Sequence, residues 1–216
     1  MSLFPIFVKM AARPALVVGG GTLAEPKIEA LLCAGAAVTV VAPRLVPSVV
    51  ARSDRNEVEW IRRTFQGSDV VGNAIVFAAT GVREIDRSVF TACGDARVWC
   101  NAIDDPEYCD FYAPAIVRRG DLQIAISTNG QSPALAQQIR KELETRFDPS
   151  WEQRIAELGS RRRNVLATTP VREERVRMLH AQANAELRMS RGGFIRRVTV
   201  AVQKWLNTDD DRVPLI

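Results

Sequence analysis

The chain has 216 residues, 47% of them hydrophobic and 25% charged, with 29 Lys and Arg against 25 Asp and Glu. This composition supplies one substantial core or two small ones and excludes a disordered chain. The net charge of +4 resides in the last third, where residues 151–216 hold 13 basic and 8 acidic residues.

Met1 to Lys9 has neither a charged leader nor an apolar run long enough for a signal peptide, and no later segment approaches membrane-spanning length. A cytoplasmic location and no membrane partner are therefore expected. The first patterned stretch is Ala15-Leu16-Val17-Val18-Gly19-Gly20-Gly21-Thr22-Leu23-Ala24, followed by Ile28, Leu31 and Leu32 at helical spacing. It reads as a strand, a tight turn and a helix that stops at Gly35. The spacing Gly19-x-Gly21-x-x-Ala24 matches the dinucleotide fingerprint in its Gly/Ala variant. Gly19 makes the turn, Gly21 lets the backbone approach a pyrophosphate, and the N–H groups around Thr22 and Leu23 hold phosphate at the helix start. The alternative is a glycine turn that binds no nucleotide.

A second strand follows at Val38 to Val41, and then Ala42-Pro43-Arg44. The acid that holds the ribose hydroxyls in a typical NAD site is missing there. Arg44 either pairs with a 2′-phosphate, flanks the adenine with Pro43, or is simply solvated. Further strands are expected at Val58 to Ile61, Asn73 to Thr80 and Val98 to Ala102, with a helix over Ile85 to Cys93. This alternation predicts an α/β, doubly wound parallel sheet of the Rossmann type, with Thr80 and Asp104 just past strand ends, at the edge where such sheets bind ligands.

Past that point the pattern changes. Tyr112 to Val117 and Leu122 to Ser127 form a hairpin around Arg118-Arg119-Gly120-Asp121, and Ser132-Pro133 opens a helix carrying Ala134, Leu135, Ile139 and Leu143. Two strands and one helix cannot bury both faces alone. From Trp151 to Asn207, Pro170 and Gly192-Gly193 divide a helical region into roughly three helices. Aromatic residues are sparse there (Trp151, Phe194, Trp205) and no nucleic-acid motif appears. Asp209 to Asp211 read as a solvated, frayed end. The expected domains are 1–112 (dinucleotide binding), 113–149 (hairpin plus helix) and 150–216 (helical).

Cys33, Cys93, Cys100 and Cys109 are too widely spaced for a metal knuckle and read as buried thiols, and His180 is the single histidine, on a surface helix. No metal site is expected, nor a Ser-His-Asp triad.

Several linked stretches resemble one family: Leu3-Phe4-Pro5-Ile6-Phe7, Val17-Val18-Gly19-Gly20-Gly21, Gly35 to Pro43, Asn101-Ala102-Ile103-Asp104-Asp105, and Ala125-Ile126-Ser127-Thr128-Asn129-Gly130-Gln131-Ser132-Pro133. Over about residues 3–146 the chain is similar to the precorrin-2 dehydrogenase and sirohydrochlorin ferrochelatase part of siroheme synthase. The resemblance implies a homodimer pairing through residues 113–147, oxidation of precorrin-2 to sirohydrochlorin with NAD as hydride acceptor, and in some members insertion of ferrous iron. It places the family's essential aspartate on Asp104, as a base for the departing proton. Ser127, Thr128 and Asn129 are expected to line the substrate cleft, and Arg118 and Arg119 to meet its carboxylates. Pro26, Asp86 and Asn129 depart from the family pattern of arginine, asparagine and glycine. Two other readings stand beside this one: a dehydrogenase with a separate chelatase, and a non-catalytic nucleotide-sensing or tetrapyrrole-binding regulator.

Overall fold

The computed structural model describes residues 3–188. The chain divides into two compact units, Met1–Ala113 and Pro114–Ile216.

The first unit holds β1 (Pro14–Val18), α1 (Glu25–Cys33), β2 (Ala37–Val41), α2 (Pro47–Asp54), β3 (Glu59–Ile61), β4 (Ile75–Ala78), α3 (Arg83–Ala96) and β5 (Trp99–Ala102). The five strands are parallel, in the order β3-β2-β1-β4-β5. Strands β1 and β4 are buried over all but their first residue, as apolar runs covered on both faces require. One face carries Val17, Val38, Val40 and Phe77 against Ile28 and Leu31 of α1 and Val49 of α2. The other carries Leu16, Val18, Val41, Val76 and Ala78 against Val89 and Cys93 of α3. The chain runs outward from β1 to β3 and then crosses to β4 on the opposite side, so the strand order reverses between β1 and β4.

Pro26 lies in the first turn of α1, where an amide has no intrahelical acceptor anyway, so it removes no hydrogen bond. The strand expected from Asn73 to Thr80 is shorter, Ile75–Ala78. Helix α2 has no counterpart in the sequence reading: it has eight residues and buries only Val49. Of the cysteines, Cys93 and Cys100 are buried and Cys109 half-buried, but Cys33 is exposed at the end of α1, so the expectation of four buried thiols is corrected; all four are free.

Before β4, a 3-10 turn at Gly67–Val70 is closed by Asp69, which accepts the Gln66 N–H at 2.9 Å and grips Arg63 through two bonds of 2.8 and 2.6 Å. The Arg63 guanidinium holds the Asp69 carboxyl below its ordinary value, with the Gln66 N–H adding to the effect. A carboxyl lowered on folding stabilises fully above its unfolded value near pH 4, and that stability is lost as pH falls through the folded value. Asp69→Ala is therefore expected to cost about 1–3 kcal/mol at pH 7. The difference from the unsubstituted protein should shrink as urea titrations are taken to acid; a constant difference across pH would contradict the assignment.

In the second unit, β6 (Ala115–Arg119) and β7 (Leu122–Ile126) form an antiparallel pair. Arg118 and Arg119 belong to the strand, and Gly120, with φ +55°, opens a turn of two residues. Helix α4 (Pro133–Arg146) begins at Ser132, whose hydroxyl accepts the Leu135 N–H at 3.3 Å. Helix α5 (Trp151–Thr168) is followed across Thr169-Pro170 by α6, described over 172–188 and joined to α5 by the ion pair Arg154–Glu186 at 3.0 Å. His180 is exposed on α6. The expected third helix, with Gly192, Gly193, Phe194 and Trp205, and the acids Asp209 to Asp211 lie outside the described residues. Among the described residues no helix is long and apolar enough to cross a membrane, and no three His, Cys, Asp or Glu side chains gather to hold a metal.

Candidate active site

Five loops leave the carboxyl edge of the parallel sheet in the first unit, and the glycine turn after β1 is pressed closely against two of them. Gly19 has φ +123°, and a Cβ there would sit 2.3 Å from the Ala79 carbonyl oxygen. Gly20 is pressed as closely on the next loop, where a Cβ would lie 2.2 Å from the Arg44 carbonyl oxygen. The Val46 N–H ties the two loops together by donating to the Gly20 carbonyl at 2.8 Å. Gly21 is different: a Cβ there would meet nothing within 4 Å.

The turn's own bonds run from the Ala24 and Glu25 N–H groups to the Gly21 carbonyl. The N–H groups of Gly21, Thr22 and Leu23 find no acceptor among the described residues. Three exposed residues thus present free amides around an open space at a helix start, which is what a pyrophosphate needs. The residues present fit a dinucleotide here.

Leu23 reaches across to the loop after β4, where a Cβ on Gly81 would touch it at 3.5 Å. Thr80 in that loop is half-buried and committed to its own scaffold: its N–H and its hydroxyl both donate to Asp86 Oδ1, at 3.0 and 2.8 Å, and its oxygen accepts the Val82 N–H at 3.1 Å. Asp86 is 4% exposed in the first turn of α3, where the helix dipole favours an anion. An asparagine oxygen would accept the same two bonds, which accounts for the departure at this position. Pro43 and Arg44 are exposed, and the Arg44 side chain has no ion pair among the described residues.

After β5, two adjacent aspartates have opposite fates. Asp105 is 7% exposed and pairs with Arg87 Nε at 2.9 Å, while the Arg87 guanidinium lies 4.5 Å over the Tyr108 ring. The Asp105 carboxylate raises the Arg87 guanidinium above its ordinary value. Asn101 closes the segment by donating to the Phe111 carbonyl at 2.7 Å. Asp104, held between these anchors, is exposed with φ +61°, and its carboxylate has no partner among the described residues. A non-glycine residue held in the left-handed region is strained by roughly 1 kcal/mol.

In the second unit, Arg119 is fully engaged: Nε donates to the Phe147 carbonyl at 2.7 Å, Nη2 to the Glu144 carbonyl at 3.3 Å and Nη1 to the Arg118 carbonyl at 2.8 Å. It closes the carboxyl end of α4. Arg118 is exposed and carries no ion pair among the described residues. Ser127 accepts the Asn129 N–H and Thr128 accepts the Ser132 N–H, both at 3.1 Å, which leaves each hydroxyl hydrogen to donate. Asn129 takes φ +55° before Gly130 at +75°, so asparagine meets the turn that glycine would otherwise serve.

Sequence reasoning missed the parts played here by Gly20, Arg87 and Asp105. The run Gly19-Gly20-Gly21 and the adjacent acids Asp104-Asp105 were the available signals.

The family model described as "Putative NAD(P)-binding" matches residues 6–115, and one described as "Sirohaem biosynthesis protein central" matches residues 119–146. The siroheme synthase of Actinobacillus pleuropneumoniae serotype 3 is 39% identical over 168 residues, covering 78% of this chain and 34% of the relative. The siroheme synthase of Methylococcus capsulatus is 40% identical over 145 residues, 67% of this chain and 31% of the relative. The chain thus spans about a third of the length of these relatives. Among solved structures, "SirC, precorrin-2 dehydrogenase" superposes with a TM-score of 0.75 at 24% identity, over 91% of this chain and 99% of that chain, a likeness of fold.

Proposed function

Because the chain belongs to the NAD(P)-binding family whose model spans residues 6–115, with the sirohaem-biosynthesis central segment at 119–146, we propose that it is a dehydrogenase that oxidises precorrin-2 to sirohydrochlorin. The observation that supports this best is the open space over Gly21, ringed by the unbonded amides of Gly21, Thr22 and Leu23, at the sheet edge that Asp104 shares. A nicotinamide dinucleotide bound there supplies the hydride acceptor, and NAD is the form the sequence resemblance implies.

The chain's own part begins with the amides of the glycine turn, which hold the pyrophosphate, while Pro43 flanks the adenine. Thr80 and Asp86 keep the loop after β4 rigid beside Leu23. Asp104 takes the proton released as the substrate's saturated carbon loses hydride, since its carboxylate is exposed and unengaged. Arg118, with Ser127, Thr128 and Asn129, offers a cation and polar groups to a substrate rimmed by carboxylates. Arg119 acts by fixing the strand that presents Arg118. The same Asp104 carboxylate suits removal of pyrrole N–H protons, which makes ferrous iron a candidate second substrate.

We include a second copy of the chain as partner. Among the described residues, strands β6 and β7 bury only Val117 fully and α4 only Ala136, with Leu135 53% exposed, which leaves the hairpin and helix with apolar surface for a partner to cover.

Anaerobic incubation of the purified chain with precorrin-2 and NAD or NADP tests the reading. Sirohydrochlorin formed in step with reduced cofactor is the expected result, and no turnover with either cofactor ends the dehydrogenase assignment. The same preparation, given sirohydrochlorin and ferrous iron, reports chelation, and its sedimentation should give the mass of two chains.

A further inference from the structure

We propose that the loop after β2 accepts a phosphate on the adenosine ribose through Arg44 and Arg62, so that the protein takes NADP at least as tightly as NAD. The inference rests on the reading of the glycine turn as a nicotinamide dinucleotide site. In that setting the end of β2 lies beside the ribose, and an acid there selects NAD by holding both hydroxyls and repelling phosphate. Here β2 runs out through Val40-Val41-Ala42-Pro43 with no carboxylate.

The loop is firmly placed. Its Val46 N–H bonds the Gly20 carbonyl at 2.8 Å, and the Ala42 N–H bonds the Ile61 carbonyl of β3 at 3.2 Å. The indole of Trp60 donates to the Ala42 carbonyl at 2.9 Å. Arg62 follows Ile61 directly, so it lies one strand spacing from Ala42, and its guanidinium is 5.3 Å from the Trp60 ring centre. The ring face attracts the cation without taking any of its N–H donors, which leaves them for a phosphate.

The pairing of neighbouring arginines sharpens the point. Arg52 and Arg55 are matched to Glu57 at 3.0 and 2.6 Å, and Arg63 to Asp69 at 2.6 Å. Arg44, three residues past β2, and Arg62, directly after β3, have no carboxylate partner among the described residues and are both exposed. Two unmatched cations where a ribose phosphate would project, with the excluding acid absent, point to that phosphate as their partner.

Isothermal titration of NAD and of NADP into the full chain and its Arg44→Ala/Arg62→Ala double variant tests the assignment. The expected wild-type Kd for NADP is equal to or below that for NAD. In the variant, NADP should bind roughly ten- to hundredfold more weakly, with NAD held within about threefold. Circular dichroism should be unchanged, since neither side chain packs in a core. A wild-type preference for NAD of about tenfold or more, or equal weakening of both ligands in the variant, overturns the proposal while leaving the dinucleotide site intact. Failure of the wild-type protein to bind either ligand overturns the site and the proposal together.

Discussion

Replacing Gly21 with valine is expected to weaken dinucleotide binding by about three orders of magnitude while leaving the fold as stable as before. A Cβ at Gly21 meets no atom within 4 Å, and the residue is not held at a left-handed φ, so the chain accommodates a side chain there. The space the isopropyl group enters is the one the amides of Gly21, Thr22 and Leu23 surround. Losing about three charge-assisted hydrogen bonds of some 1.5 kcal/mol each weakens binding by about a thousandfold. Gly19→Ala is the contrasting case. Its Cβ would lie 2.3 Å from the Ala79 oxygen at a φ of +123°, so at least about 3 kcal/mol of stability should go with it. Calorimetry and urea titration of the two variants check both statements, and a Gly21→Val protein that binds as the parent does would show that the open space is not the phosphate site.

Asp104→Asn is expected to lower the rate of precorrin-2 oxidation by about a hundredfold or more, the usual contribution of a general base. Asparagine tolerates φ +61° as well as aspartate, so the turn and its anchors, Asp105 with Arg87 and Asn101 with Phe111, should persist. Cofactor affinity should therefore stay the same. Asp104→Gly offers a test of opposite sign, because glycine relieves the strain: the protein should gain up to about 1 kcal/mol in urea titrations while losing turnover. Full oxidation by Asp104→Asn would remove the carboxylate from this step. Loss of iron insertion alone would assign it to the second substrate.

Where local chemistry and tertiary contact agree, the fold was legible in the sequence. The apolar run into Gly19 required a buried parallel strand and a turn, and the structure supplies both for the reason the spacing suggests. Helix α2 was not legible because eight residues with one buried side chain leave almost no periodic trace. The expected strand from Asn73 ran long because apolar continuity does not mark where strand pairing stops.

The site was read less evenly, for a physical reason. Arg118 and Arg119 are indistinguishable as letters, but neighbouring strand residues face opposite ways, and only the register of β6 against α4 shows that Arg119 is used up on backbone carbonyls. Thr80 belongs to the right edge, yet Asp86 claims its donors, and a contact six residues away has no sequence signal. Trp60 and Arg62 were overlooked because β3 is only three residues long and their relevance comes through Ala42 on the adjacent strand.

On the proposed reading, the segment from Gly21 to Leu23 grips its anion with groups that every amino acid except proline possesses. Among descendants of a common ancestor, positions 22 and 23 are accordingly free to change, while 19 and 20, wedged against neighbouring carbonyls, are frozen. With the ribose phosphate read by surface arginines as proposed, a lineage can retune which cofactor it favours without disturbing the grip that makes any choice matter.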